Sequence, residues 1–163
     1  MHQPSPKHPN RFPRSERLRL KKEIDATFKV GQKAFCFPYR AVFRIAQGEG
    51  VEVGVRVAMV APKRLWKHAV DRNYQKRRLR ELYRTQAGAL RQLAQEHELG
   101  VSIMLICVSR DEVPLEKATR SVFLLLRDVE RACLRRVDRA EKGRKVDGEE
   151  GGAKGESEGR KKS

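Results

Sequence analysis

The sequence predicts an α+β fold in one domain, with helices packed on a small sheet, and three patterns carry that expectation. Apolar residues recur at helical spacing in three separate stretches, alternate with polar ones over residues 35–59, and run with a single interruption at Ser102 over residues 101–108. A chain of 163 residues is long enough to bury a core of that kind.

Residues 1–13 are rich in Pro, His and Lys and lack any period, so they read as a flexible basic arm before an ordered domain over residues 14–136. Leu20, Ile24 and Phe28 then mark one helix face, and Gly31 is suited to the left-handed conformation that ends a helix. Phe35, Phe37, Tyr39, Ala41, Phe43 and Ile45 alternate with Cys36, Arg40 and Arg44. That is a strand made irregular by Pro38, with three of its four rings expected in the core. After a Gly-rich turn at residues 47–50, the alternation of Val51, Val53, Val55, Val57 and Met59 completes an expected hairpin of long strands.

Pro62 stands in a basic loop over residues 61–68, and a helix is expected from Ala69 or Asp71. Its core stripe is Leu79, Leu82, Tyr83, Gln86 and Leu90, and Gly100 closes the segment. The apolar run at 101–108 fits a strand covered on both faces, hence a central one. Pro114 suits the first turn of a last helix with a stripe at Leu115, Ala118, Val122, Leu125, Leu126 and Val129. Beyond about Arg136 the stripe fades, and residues 137–163, rich in Gly, Lys, Glu and Ser, are expected to form a disordered charged tail.

Charge asks for a partner. Lys and Arg number 37 against 21 Asp and Glu, a net +16. Residues 138–163 hold 8 Lys or Arg and 7 Asp or Glu, so +15 of that excess lies in residues 1–137, the part expected to fold. A polyphosphate is the partner such a surface fits. Cys36, Cys107 and Cys133 are odd in number, far apart and without a C-x-x-C pair, which points away from a disulfide framework and from zinc. No stretch approaches the roughly 18 apolar residues that span a bilayer, so a cytoplasmic location is the default expectation and no membrane partner is implied.

The densest charge lies over residues 63–84, which contain Lys63, Arg64, Lys67 and Arg72 ahead of the central row. On a helix, Asn73, Lys76, Arg77, Arg80 and Arg84 share a face about 100° wide beside the Leu79 and Leu82 stripe. A solvated helix face is the bland alternative. Against it, Arg outnumbers Lys, an Asn is embedded in the row, and acidic spacers are almost absent. Guanidinium forks match phosphate oxygens, and an amide can donate and accept at a sugar hydroxyl or base edge.

These residues carry a resemblance. RNYQKRRLRE at 72–81 resembles the Arg-Asn-Arg signature helix of the bacterial ribonuclease P protein family, and VAMVAPKRLWKHAV before it is similar to the family's strand-to-helix entry. From about Arg17 to Leu134 the expected elements follow the family's order. Tyr74 departs from the signature, standing where its second Arg usually lies, and falls off the main basic row.

The resemblance implies an α/β sandwich of order αβββαβα, with a left-handed βαβ crossover through the basic helix, against the usual right-handed rule. It implies a non-catalytic subunit of an endoribonuclease. The signature helix would meet the catalytic RNA, and a cleft between the first helix and the sheet would hold the 5′ leader of precursor tRNA. Phe28 and Tyr39 are the candidates for stacking on leader bases, and Lys63 and Arg64 are placed to bridge both RNAs. Mg²⁺ held mainly by the catalytic RNA would activate the attacking water. No obligate protein partner is implied.

The histidines, His2, His8, His68 and His97, pair with no Cys or carboxylate at metal-ligand spacing, so neither a catalytic site nor a metal site is expected in the protein. Three rivals share the composition. A ribosomal or other structured-RNA-binding assembly protein lacks only the signature. A DNA-binding regulator would need a short helix and tight turn before the basic helix, where strands stand instead. A protein-only nuclease would cleave without RNA.

Overall fold

The computed structural model describes residues 13–161, with side chains through Arg144. The N-terminal arm expected over residues 1–13 lies outside the described residues except for Pro13. A 3₁₀ turn at Arg14–Glu16 precedes α1 (Lys21–Val30), β1 (Gln32–Cys36), β2 (Tyr39–Gln47) and β3 (Gly54–Val60). α2 (Ala69–Gln86), α3 (Gly88–Glu96), β4 (Leu99–Cys107) and α4 (Leu115–Lys161) follow. The result is an α+β fold with one mixed sheet.

The sheet order is β1-β2-β4-β3, antiparallel between β1 and β2 and between β2 and β4, and parallel between β3 and β4. The apolar run therefore does sit between two partners. The expected hairpin does not form as read. The strand expected over residues 35–45 folds back at Phe37 and Pro38, so that Cys36 faces Tyr39 and β1 and β2 make the hairpin. β2 and the next strand, β3, are separated by β4. Alternation fixes which face a strand buries and leaves its neighbour open. The apolar run tolerates cover on both faces and takes an interior position, which it shares with β2.

The side of the sheet carrying Tyr39, Ala41, Phe43 and Ile45 is covered by α2, α3 and α4, whose Leu79, Tyr83, Leu90, Val122 and Leu126 complete the main core. The opposite side carries Val42, Met104 and Ile106, which pack with Leu18 and, less completely, Ile24 of α1. Phe35 and Phe37 are 65% and 44% exposed, so two rings of the four rather than three enter the core. The bend at Pro38 ends the alternation that would have carried them in.

Four further expectations change. In α1 the buried residue is Thr27, while Phe28 and the N-cap residue Leu20 are exposed, so the helix presents a different face from the one read off the apolar spacing. Gly31 is extended, with φ −72° and ψ 153°, rather than left-handed. The single long helix is two, divided at buried Ala87, whose φ of −88° and ψ of 2° leave the helix. Leu90 continues the stripe from α3, so the apolar spacing gave no sign of the break. Gly100 lies within β4, and the turn before it is made by Glu98 at φ 53°. A Cβ on Gly100 would stand 2.7 Å from Val51 Cγ1 and 2.8 Å from the Glu52 oxygen, so glycine there admits the chain crossing at residues 51–52.

α4 begins directly after Pro114, whose carbonyl accepts the Ala118 N–H at 3.1 Å. Val137 is the last buried side chain among the described residues, but the helical backbone continues to Lys161, where a disordered tail was expected.

Candidate nucleic-acid interface

Local bonding sets the entry to α2. The N–H groups of Leu65 and Trp66 donate to the Pro62 oxygen at 3.1 and 3.0 Å, closing a turn in the basic loop. The Arg72 guanidinium then donates to the carbonyls of Trp66 and Lys67 at 2.9 and 2.8 Å, fastening loop to helix. Lys63, Arg64 and Lys67 keep exposed side chains. Arg72, read from sequence as a contact residue, also holds the loop that carries those three.

Burial of Gln75, Leu79, Leu82 and Tyr83 fixes the rotation of α2 about its axis. At about 100° per residue the row Asn73, Lys76, Arg77, Arg80 and Arg84 is then turned away from the core. Asn73 and Arg77 are exposed, and Lys76, Arg80 and Arg84 are half-buried along their stems. Arg84 is also paired with Glu81, its Nε donating to Oε2 at 3.0 Å. That bond lowers the Glu81 pKa and raises that of Arg84.

Tyr74 and Arg78 occupy a separate flank. The Tyr74 hydroxyl donates to Glu112 Oε1 at 2.7 Å, which raises the pKa of the phenol. Arg78 donates to the Val113 carbonyl and lies 3.6 Å from Glu112. Both side chains clamp α2 to the segment before α4, off the basic row, so the departure at Tyr74 leaves the row intact.

The two residues expected in the leader cleft are not brought together. Phe28 is 46% exposed on α1, whereas Tyr39 is 1% exposed in the main core. Burial pushes the Tyr39 phenol up to about 12. Strand alternation places Tyr39 on the side covered by α4, away from α1, so its ring offers no face to a base. Its neighbour Arg40 points the other way, and register sets Phe35 opposite Arg40 on that same side. Arg40 Nε is buried without a hydrogen-bond partner. Phe35 and Arg40, which the sequence reading did not choose for that cleft, thus lie on the α1 side of the sheet, opposite Tyr39.

Among the described residues, no group of three or more His, Cys, Asp or Glu is placed to hold a metal. No helix among the described residues is long and apolar enough to cross a membrane.

A family model described as Ribonuclease P matches residues 12–135. The ribonuclease P protein component of Porphyromonas gingivalis is 37% identical over 101 residues, which cover 62% of this chain and 72% of that protein. A second strain's protein is 36% identical over the same length. Among solved structures, the RNase P protein from Thermotoga maritima aligns with a TM-score of 0.54 at 24% identity, over 68% of this chain and 94% of that one. The Staphylococcus aureus RNase P protein aligns with a TM-score of 0.51 at 17% identity, over 70% and 94%. The two structures speak for the fold, and the family match together with the curated relatives speaks for the role. The chain belongs to the bacterial ribonuclease P protein family, the protein component of the ribonucleoprotein that matures the 5′ end of tRNA.

Proposed function

We propose that the outward row of α2, Asn73, Lys76, Arg77, Arg80 and Arg84, docks the catalytic RNA together with Lys63, Arg64 and Lys67 of the preceding loop. One observation carries this reading: the buried Leu79, Leu82 and Tyr83 fix α2 so that the row points outward. Guanidinium forks meet phosphate oxygens, and the Asn73 amide meets a sugar hydroxyl or base edge. Arg72 serves the surface indirectly, through the loop carbonyls it holds.

The α1 side of the sheet receives the single-stranded leader of precursor tRNA. Phe28 and Phe35 offer exposed rings for stacking, and half-buried Arg40 places a positive charge on the same side of the sheet. Tyr39 has no part in it. The Mg²⁺ ions are assigned to the catalytic RNA, as the family resemblance implies. The carboxylates nearest the basic row are already engaged, Glu81 by Arg84 and Glu112 by Tyr74 and Arg78. The parallel connection from β3 to β4 through α2 and α3 is read as the family's left-handed crossover. The cytoplasm is its site of action, since both partners are RNA.

Binding of the cognate catalytic RNA across a salt series tests the row. Arg77→Ala and Arg80→Ala are each expected to weaken binding and flatten the dependence of log K on log salt by about one unit. Unchanged slopes would place these side chains away from phosphate. Phe28→Ala is expected to reduce preference for precursor over mature tRNA by about 1–3 kcal/mol. Equal loss for both substrates would refute the leader contact.

A further inference from the structure

A second basic surface lies far from α2. Where α4 passes the edge of the sheet, Arg135, Arg136 and Arg139 line a concavity of about 550 Å³ together with Gln32 and Gln47. No carboxylate lines it. Among the described residues none of the three arginines is in an ion pair, whereas Arg56, Arg78, Arg84, Arg91 and Arg131 each have a carboxylate within reach. Three arginines lining one hollow repel one another, and an anion with several oxygens relieves that repulsion.

The hollow is not a continuation of the α2 row. α4 touches the end of α2 where the Gln86 amide donates to the Thr119 carbonyl at 3.3 Å. From Thr119 to Arg136 the helix rises about 25 Å. The hollow sits by Gln32 of β1, an edge strand, while α2 follows β3, the other edge. Both surfaces nonetheless belong to elements on the helix-covered side of the sheet, opposite α1.

We propose that the Arg135, Arg136 and Arg139 hollow binds backbone phosphates of the catalytic RNA, giving the protein a second anchor about 25 Å along α4 from its contact with α2. This rests on the reading of α2 as the first anchor. The catalytic RNA is chosen over precursor tRNA because α4 shares its side of the sheet with α2 and not with the leader groove.

The test uses the full chain carrying Arg135→Gln, Arg136→Gln and Arg139→Gln together, with Arg77→Ala run in parallel. Binding of the cognate ribonuclease P RNA is measured from about 50 to 200 mM salt, and thermal unfolding is followed separately. The expected result is a slope flatter by two to three units, an unchanged melting temperature and unchanged preference for precursor over mature tRNA. The corresponding triple Lys variant keeps the charge and should keep the slope. An unchanged slope in the Gln variant overturns the proposal, as does a flattened slope in the Lys variant. A loss confined to precursor tRNA overturns the choice of RNA. Failure of Arg77→Ala to flatten the slope while the Gln variant does so would instead refute the α2 reading.

Discussion

Gly31→Ala separates two reasons for a glycine at the end of α1. A left-handed cap needs glycine for its backbone angle, but Gly31 has φ −72° and ψ 153°, which any residue adopts. Its requirement is space. A Cβ there would stand 2.2 Å from the Thr27 oxygen, 2.9 Å from the Phe43 oxygen and 3.1 Å from Val42 Cγ1. The first two are backbone atoms that cannot swing aside, and the Thr27 oxygen already accepts the Gly31 N–H at 2.9 Å. Restoring ordinary contact requires the end of α1 to move by about 1 Å, an overpacking that costs typically 1–3 kcal/mol. Weakening the Gly31 to Thr27 bond adds about 1 kcal/mol. A total near 3 kcal/mol lowers the melting temperature of a folded unit this size by roughly 10 °C.

Thermal and denaturant unfolding of Gly31→Ala and Gly31→Asn measure the effect. Steric exclusion makes Asn at least as damaging as Ala, whereas a left-handed cap would make Asn the milder change. A loss under about 0.5 kcal/mol for Ala, or a better-tolerated Asn, would refute the reasoning. Because α1 also carries Phe28, the folded fraction of either variant should bind the catalytic RNA with an unchanged salt slope yet discriminate precursor from mature tRNA less well.

Two further outcomes follow from the core. Arg91 grips Glu16 with Nε at 2.8 Å from Oε1 and a second nitrogen at 3.0 Å from Oε2, both side chains largely covered, and lies 5.5 Å from the Tyr83 ring centre. Glu16→Gln strips a covered guanidinium of its counter-charge and should cost about 1–3 kcal/mol in denaturant unfolding; an unchanged midpoint would show that solvent screens the pair. Burial raises the Tyr39 phenol from 10.0 to about 12 and the Cys133 thiol from 9.0 to about 11. In both cases the folded state holds the proton more tightly than the unfolded chain. The stability this confers is present in full below about pH 9 and is lost as pH rises to about 12. Unfolding free energy that stays flat from pH 9 to 12 would contradict it, and Tyr39→Phe should lessen the decline above pH 10, leaving the shares of Cys133 and of Tyr83, whose phenol burial also raises.

The basic row was legible because a helix's period is rigid: once Leu79 and Leu82 are taken as core, the positions of Asn73, Arg77 and Arg80 follow. Tyr39 was misplaced for a different reason. Alternation divides a strand into two faces, but the sequence does not say which face meets three helices and which meets one. The pairing of β3 with β4 was hidden for the same cause, since partner choice depends on contacts more than 40 residues apart, Val57 with Ile103 for example. The break at Ala87 was hidden because buried residues continue on both sides of it. Arg72 shows a further limit: charge at the right spacing does not reveal that a guanidinium is committed to the carbonyls of Trp66 and Lys67.

Like charges along α2 oppose the helix by a few tenths of a kcal/mol per close pair, roughly 1 kcal/mol for the row. Burial of Leu79, Leu82 and Tyr83 contributes about 1.5–3 kcal/mol each, so packing holds the helix against its own repulsion without help from RNA. A surface already rigid in the free protein loses little conformational freedom on docking. Under the proposed reading the sheet separates the two tasks: residues on its helix-covered side support α2 and α4, assigned to the catalytic RNA, and Arg40 and Phe35 share the other side with α1, assigned to the leader. A substitution on one face of β2 should therefore disturb one RNA and spare the other, which a shared interface would not allow.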